Sequence, residues 1–572
     1  MIRDGSVDDR TFARACAAVM GQDWLAAVES DMHARTGRPR VHPWSAIFVI
    51  LQITALEESG SLLLTDASRV AQRLTPDQRE RVGLTAPVEY SHIESAVSDL
   101  ASALSETIDR STGEVFAPRL SMTLSTLMSN IASAFIPASI PATATQSIDS
   151  TDYETHYRRR SWRHHMKPDI PADALPEDDF TPAKTEVNEK GWPRTGNDGR
   201  LQHTIDPDAR DGYRAGKNLS RKSVFVGWDL HTATDTPDLG ADARPPLLRA
   251  LALAPAGSLK SESGLALVDV LTARGTGPEV VLVDRGYSYL KPECWARPLD
   301  QRGVRQVIDL HTSQRVQRPG PIPGTIYLDG ALFINAVPAH LRSLPGYSLR
   351  MPGEEKTALA ARYDERAPYA FSTQGNPDHK RGTQRYRGPA LAGKVRCPNT
   401  PRSMRLDPAN RPTTQCTPGV PCACGVTVTL GPDDYIQTRQ RDLYGTTAWK
   451  ASYGRRSAVE SGNAVLKVHH ARLQRGSTRV MGTNKTGILL AFIVAAANVS
   501  LLITRYGYDV GAPPADDVEP VAPLPSPRTA LHRKRPFARR NRSTSPPRGT
   551  PPSPPRPATA WTRVAPAATS TD

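Results

Sequence analysis

The chain has 572 residues, 38% of them hydrophobic, a formal net charge of +14 from 72 Lys and Arg against 58 Asp and Glu, and six cysteines. That length is too great for one ordinary core, so two or three structured domains are expected, and the basic balance favours a polyanionic partner, nucleic acid first. Four of the cysteines crowd between 397 and 424, which excludes the disulfide framework of a small secreted protein, and MIRDGSVDDR has no apolar stretch to serve as a secretory signal, so a cytoplasmic location is expected.

In chain order, residues 1–135 read as a helical region. In SAIFVILQITALEES, Ile47, Val49, Ile50, Ile53 and Leu56 fall at helical spacings behind Pro43 and Ser45. LTDASRVAQRL follows, with Thr65 or Asp66 as a possible cap, and then HIESAVSDLASALSETIDR. Several short helices in a basic protein can form a DNA reader of helix-turn-helix type. Residues 140–345 change to α/β character: PATATQSIDSTDYE contains a short strand ending in acids, VFVGWDLHTATD and LLRALALAP predict two more strands, GLALVDVLTARG a helix, and VVLVD a strand buried on both faces. Ligand chemistry is expected at that last strand's carboxyl end. VRQVIDL and GTIYLDGALFINAVP add further strands. Residues 346–445 are rich in Pro, Gly and Arg and read as a loop and β insertion, and helical structure returns over 446–510. The apolar run from Gly487 to Thr504 contains Asn498 and Ser500 and reads as a buried helix, with no membrane association expected. Residues 511–572 are Pro, Ser and Arg rich, with ten Lys or Arg between Arg528 and Arg563, and are expected to be a disordered basic tail.

The sharpest local feature is YGRRSAVESGNAVLK. Tyr453, Arg456, Glu460 and Lys467 are offset by 3, 7 and 14 residues, so at about 100° per residue they share one face of a continuous helix. A carboxylate flanked by a guanidinium, an ammonium and a phenol suits a cation and phosphates better than an apolar interface. Asp284 ends the buried strand, with Gly286, Tyr287 and Tyr289 behind it, and Asp149 lies in the opening strand, two residues before Thr151. Asp152 and Asp229 are the competing acids, and His231 lies beside the second strand. In YRRRSWRHHMK, Arg158, Arg159 and Arg160 are interleaved with aromatic residues, a pattern suited to phosphates and bases. Cys397, Cys416, Cys422 and Cys424, spaced CP-x17-C-x5-C-x-C, could hold a structural Zn²⁺.

The Tyr-x2-Arg-x3-Glu-x6-Lys spacing resembles the YREK motif of insertion-sequence DDE transposases, and the segments around Asp284 and Asp149 resemble the same family's second and first acid motifs. The resemblance covers roughly residues 140–505; the long interval of 176 residues between Asp284 and Glu460 is its main departure. It implies a ribonuclease H-like catalytic core of mixed sheet and flanking helices, with Asp149, Asp284 and Glu460 as catalytic metal ligands. Tyr453, Arg456, Lys467 and Tyr287 would contact DNA. It implies Mg²⁺ or Mn²⁺ as a pair of ions, roughly 3.5–4 Å apart, serving nucleophile and leaving oxygen. It further implies a nucleoid-associated enzyme that cuts transposon inverted-repeat ends and joins them to target DNA, working as a homodimer that holds two ends. The rival expectations are a ribonuclease H-like nuclease that does not transpose, a repurposed DNA-binding derivative, and a binding module built around the cysteines.

Overall fold

A computed structural model describes residues 5–33, 40–58, 60–109, 111–159, 194–195, 201–214, 223–242, 244–348 and 350–510. The basic tail at 511–572 and Arg160 fall outside the described residues.

Seven helices come first: α1 (Asp9–Val19), α2 (Asp23–Asp31), α3 (Trp44–Glu57), α4 (Leu64–Arg73), α5 (Pro76–Arg81), α6 (Tyr90–Ala103) and α7 (Leu124–Ser133). Pro43 starts α3 as expected, since its missing N–H is no loss at a helix N-terminus. Thr65 and Asp66 do not cap α4: Leu63 holds the cap position, without a side-chain bond, and the two polar residues lie in the first turn, where Asp66 still faces the helix dipole. α6 stops at Ala103, short of the full segment read from sequence, and Thr107–Ile108 pairs with Val115–Phe116 instead. α3 is buried on almost every side, from Ala46 to Ala55. Each Ile, Leu, Val or Phe so buried stabilises the fold by about 1.5–3 kcal/mol.

The central sheet contains β1 (Thr145–Glu154), β2 (Arg210–Arg214), β3 (Ser223–Thr236), β4 (Leu248–Pro255), β5 (Val280–Val283) and β6 (Arg305–Ile308). Its order is β6-β5-β1-β3, and β2 and β4 both pair with β3. β1 and β3 run antiparallel over ten residues, whereas β1, β5 and β6 are mutually parallel. A parallel neighbour needs a crossover, and α8 (Lys260–Ala273) supplies it between β4 and β5. Gly227 lies where β3 leaves β1: an added Cβ would fall 2.0 Å from the Tyr153 carbonyl oxygen, so only glycine permits that approach.

Strand alternation divides the sheet's residues between two cores. Leu251 and Leu253 of β4 join Trp228, Leu230 and the N-terminal helices, while Ala250 and Ala252 join Ile148, Leu267, Leu271 and Val283 in the core under α8. The alanines leave room for α8 to lie close to the strand. α15 (Thr483–Leu501), the apolar helix near the C-terminus, is buried within the first core beside α3 and α7. Asn498 explains its polar break: the side chain accepts from the Leu248 amide and donates to the Leu248 and Ala132 carbonyls. A buried amide satisfied in this way pins α15 to strand β4. The one described helix long and apolar enough to span a membrane is thus a core helix.

Two short helices, α9 (Arg285–Ser288) and α10 (Ala296–Gln301), follow β5. Strands β7 (Arg318–Pro319), β8 (Thr325–Leu328) and β9 (Ala331–Ile334) form one small sheet, the last two within the strand segment read from sequence. The 346–445 region that follows is more ordered than its composition suggested. After α11 (Ala339–Arg342) and α12 (Gly353–Arg366), strands β10 (Ser372–Thr373), β11 (Gln384–Arg387) and β12 (Thr427–Leu430) form another. The two share a core that includes Phe333, Leu341, Val395, Cys397, Cys424 and Leu430. α12 was missed from sequence, although Leu359, Ala360, Tyr363 and Arg366 mark its buried stripe at helical spacings.

The segment carrying Tyr453 to Lys467 is not one continuous helix. α13 (Thr447–Gly454) breaks at Arg455 and Arg456, α14 (Ser457–Ala464) resumes, and Val465–His469 forms a π-helical turn. This corrects the continuous helix expected from a uniform 100° rotation, although Arg455 and Arg456 keep helical dihedrals, and Arg456 and Lys467 both still turn toward β1, to Asp149 and Asp152.

Candidate functional site

The register of the sheet builds the site. Ile148 of β1 pairs with Val283 of β5 in parallel, so the next residues, Asp149 and Asp284, emerge side by side at the same level of adjacent strands. Asp149 continues within β1, whereas Asp284 caps α9. On the other side of β1, Asp152 lies directly opposite Asp229 of β3. Four acids from three neighbouring strands therefore gather here, a concentration of negative charge that needs cations nearby.

Three basic side chains answer it. Arg456 Nη2 donates to Asp149 Oδ2 at 2.5 Å, and its Nη1 donates to Glu460 Oε1 at 3.0 Å, so one guanidinium bridges the first and third acids of the motif. Lys260 Nζ donates to Asp284 Oδ1 at 3.0 Å. Lys467 pairs with Asp152. Asp229 accepts instead from the Gly257 amide at 2.9 Å. Burial raises the Asp149 carboxyl above its ordinary range and neighbouring Asp284 raises it further, although Arg456 and Lys260 pull the other way. Burial likewise raises Asp229.

The residues around the acids are fixed by packing. Tyr287 is 1% exposed, its ring 4.5 Å from that of Trp295 and beneath Lys260 Nζ at 4.6 Å. Its hydroxyl is buried without a partner beside Asp284, Asp149 and Asp229, and burial drives its pKa well above the ordinary phenol value. A ring in this position supports Lys260 and the acids from below, and it is buried where the expected DNA contact calls for an exposed side chain. Gly286 keeps this corner open: a Cβ there would lie 2.3 Å from Lys260 Nζ and 3.0 Å from Asp284 Oδ1. His231 on β3 is fully buried, neither ring nitrogen has a partner, and burial lowers its pKa to about 3. It is a neutral side chain under the site. Arg285 turns away to pair with Asp309 at 2.7 Å.

The structure thus brings Asp149, Asp284 and Arg456 together, with Glu460 attached through Arg456. Glu460 itself points largely to solvent, with 67% of its side chain exposed. Tyr453 is partly buried and stacked on Trp449, with centroids 5.0 Å apart and rings inclined by 6°. Arg158 is exposed, as a phosphate contact requires, but Arg159 is engaged with Asp211 at 2.5 Å. Lys260 was not singled out from sequence. Its position depends on a turn in which Leu259 adopts φ 53°, a conformation costly for a leucine, and no local pattern announces it.

Among the described residues, Cys397, Cys416, Cys422 and Cys424 form the one group of three or more potential metal-ligating side chains that gathers closely enough to hold an ion, with donor atoms all within 4.8 Å of one another; the acids do not form such a group. The all-oxygen donor set of Asp149 and Asp284 fits a hard divalent cation. Their mutual repulsion, and the orphaned Tyr287 hydroxyl beside them, mark a place where added positive charge is stabilising. Neither a family model nor a curated protein sequence matches this chain.

Proposed function

We propose that the chain is a DNA transposase of the DDE type, built on a ribonuclease H-like core, in which Asp149, Asp284 and Glu460 serve divalent-metal-dependent strand cleavage and joining. The observation that carries this reading is the register of Asp149 with Asp284 on parallel strands, with Arg456 of the Tyr453 to Lys467 motif placed on Asp149. The order of parts supports it: an acid on the first strand, an acid at the end of a later parallel strand behind a crossover helix, and an acid on a helix far along the chain.

Mg²⁺ or Mn²⁺ would be held by Asp149 and Asp284, with Glu460 as the third ligand. When bound, such a cation supplies Lewis-acid polarisation of a phosphodiester and neutralises charge on the leaving oxygen. The chain's own residues perform the rest. Arg456 and Lys260 donate to Asp149 and Asp284, and either can turn to a phosphate when the acids gain another counter-charge. Lys467 and Arg158 offer further phosphate contacts, and the stacked Tyr453 and Trp449 give Arg456 a rigid support. Buried Tyr287, His231 and Trp295 exclude water from beneath the acids. Strand joining, and the homodimer that would hold two inverted-repeat ends, rest on the motif resemblance. The test is Mg²⁺-dependent nicking, by purified protein, of DNA carrying the sequences that flank its coding region. Cleavage at a fixed position in both flanks supports the reading, and inert DNA under the same conditions overturns it.

A further inference from the structure

We infer that Cys397, Cys416, Cys422 and Cys424 form a tetrathiolate zinc centre that makes folding of the 388–426 loop depend on metal. The four sulfurs come from three separate stretches of chain, yet all lie within 4.8 Å of one another. Two contacts are tighter still: Cys397 Sγ to Cys422 Sγ and Cys416 Sγ to Cys424 Sγ are each 3.6 Å. Four sulfurs at about 2.3 Å from one tetrahedral Zn²⁺ must be separated by roughly 3.8 Å, so these contacts are close to those of a closed structural site. They are far beyond the roughly 2.05 Å of a disulfide, and all four cysteines are free.

The surroundings are those of a structural centre. Cys397 and Cys424 are fully buried, and Cys416 and Cys422 pack against the same core. Polar groups brace the loop: the Cys397 amide donates to Ser403 Oγ at 2.9 Å, and the Asn399 side-chain amide donates to the Thr417 and Val420 carbonyls. The Gly388 and Ala390 amides donate to the Val426 and Cys424 carbonyls, extending the pairing of β11 with β12 up to the cysteines. Gly388 has no room for a side chain there, since a Cβ would fall 2.5 Å from the Cys424 carbonyl oxygen. Bound Zn²⁺ would displace the thiol protons and hold thiolates. Between Lys394 and Arg411 the loop also carries Arg396, Arg402 and Arg405, so the metal would fix a basic surface.

The test uses the full-length protein purified without added metal. Elemental analysis should find about one zinc per chain. Exchange with Co²⁺ should give the visible bands and sulfur-to-cobalt charge-transfer absorption of a tetrahedral thiolate site. Cys422→Ser and Cys424→Ser should each lose the metal, while Cys294→Ser, at an exposed cysteine outside the cluster, should keep it. Should the cluster variants fail to fold, thiol counting on the wild-type protein decides: chelation with a thiol-competing reagent should release four additional reactive thiols together with zinc. Disulfides joining Cys397 to Cys422 and Cys416 to Cys424, iron in place of zinc, or a metal-free protein with four reactive thiols would each overturn the assignment.

Discussion

Arg456 donates one nitrogen to Asp149 at 2.5 Å and another to Glu460 at 3.0 Å, so a single guanidinium joins two acids that lie 311 residues apart. Both Arg456 and Asp149 are largely buried, so this pair is not screened as a surface ion pair would be. Arg456→Met should destabilise the metal-free protein by about 2–4 kcal/mol at pH 8, because it leaves Asp149 charged beside Asp284. The sign with pH follows from the folded-state pKa, which the substitution raises further above the unfolded value. The loss is greatest above the raised value and fades as the pH falls and Asp149 takes up a proton. Urea unfolding at two pH values checks this; an equal loss at both would contradict it.

Asp149 carries a related cost in the native protein. Its raised pKa means that ionisation opposes folding, with no penalty below the unfolded carboxylate value and a full penalty above the folded one. Asp149→Asn should therefore raise the melting temperature in chelator at neutral pH. Mg²⁺ should stabilise the wild-type protein, and both Asp149→Asn and Asp284→Asn should abolish that shift. Thermal scans with EDTA and with Mg²⁺ measure both effects. A shift of wild-type size in either variant would remove that residue from the metal site.

His231 titrates in the opposite sense. Its pKa falls from 6.5 to about 3 on folding, so its stabilising contribution is complete above 6.5 and is lost as the pH drops from there toward 3. The slope it adds is about 1.4 kcal/mol per pH unit. His231→Leu should change stability little at pH 8, since neither ring nitrogen has a partner to lose, and should flatten the decline between pH 6 and pH 4. An unchanged slope would show that His231 is solvated in the native state.

Lys467 is paired with Asp152 in the free protein and is expected to exchange that partner for a phosphate on DNA. Lys467→Ala should weaken DNA binding similarly across sequences and reduce the salt slope of log affinity by about one. Titrations at several salt concentrations provide the measurement. A sequence-selective loss with an unchanged slope would mean that Lys467 reads bases.

Much of the sheet was legible in the sequence because each of its main strands is either continuously apolar or clearly alternating. Val280 to Val283 and Leu248 to Pro255 are such runs, and both formed as expected. The pairing that matters most was not legible: nothing local to Asp149 or Asp284 reveals that β1 and β5 align them. The helical wheel placed Tyr453, Arg456, Glu460 and Lys467 on one stripe of a continuous helix; the turn at Arg455 and Arg456 and the π turn at 465–469 interrupt that helix, which a uniform rotation cannot contain, yet Arg456 and Lys467 both reach acids of β1. Lys260 and the buried position of Tyr287 follow from crossover geometry, and the order in the insertion follows from a core shared with the β8-β9 hairpin.

The most direct measurement is metal-dependent nicking of the flanking DNA by wild-type protein and by Asp149→Ala, Asp284→Ala and Glu460→Ala, with DNA binding measured on the same preparations. Each substitution should lower cleavage on the order of a thousandfold or more while binding stays measurable. Glu460 is the decisive position, because in the metal-free protein it reaches the other acids only through Arg456. Near wild-type nicking by Glu460→Ala would contradict its role as the third metal ligand.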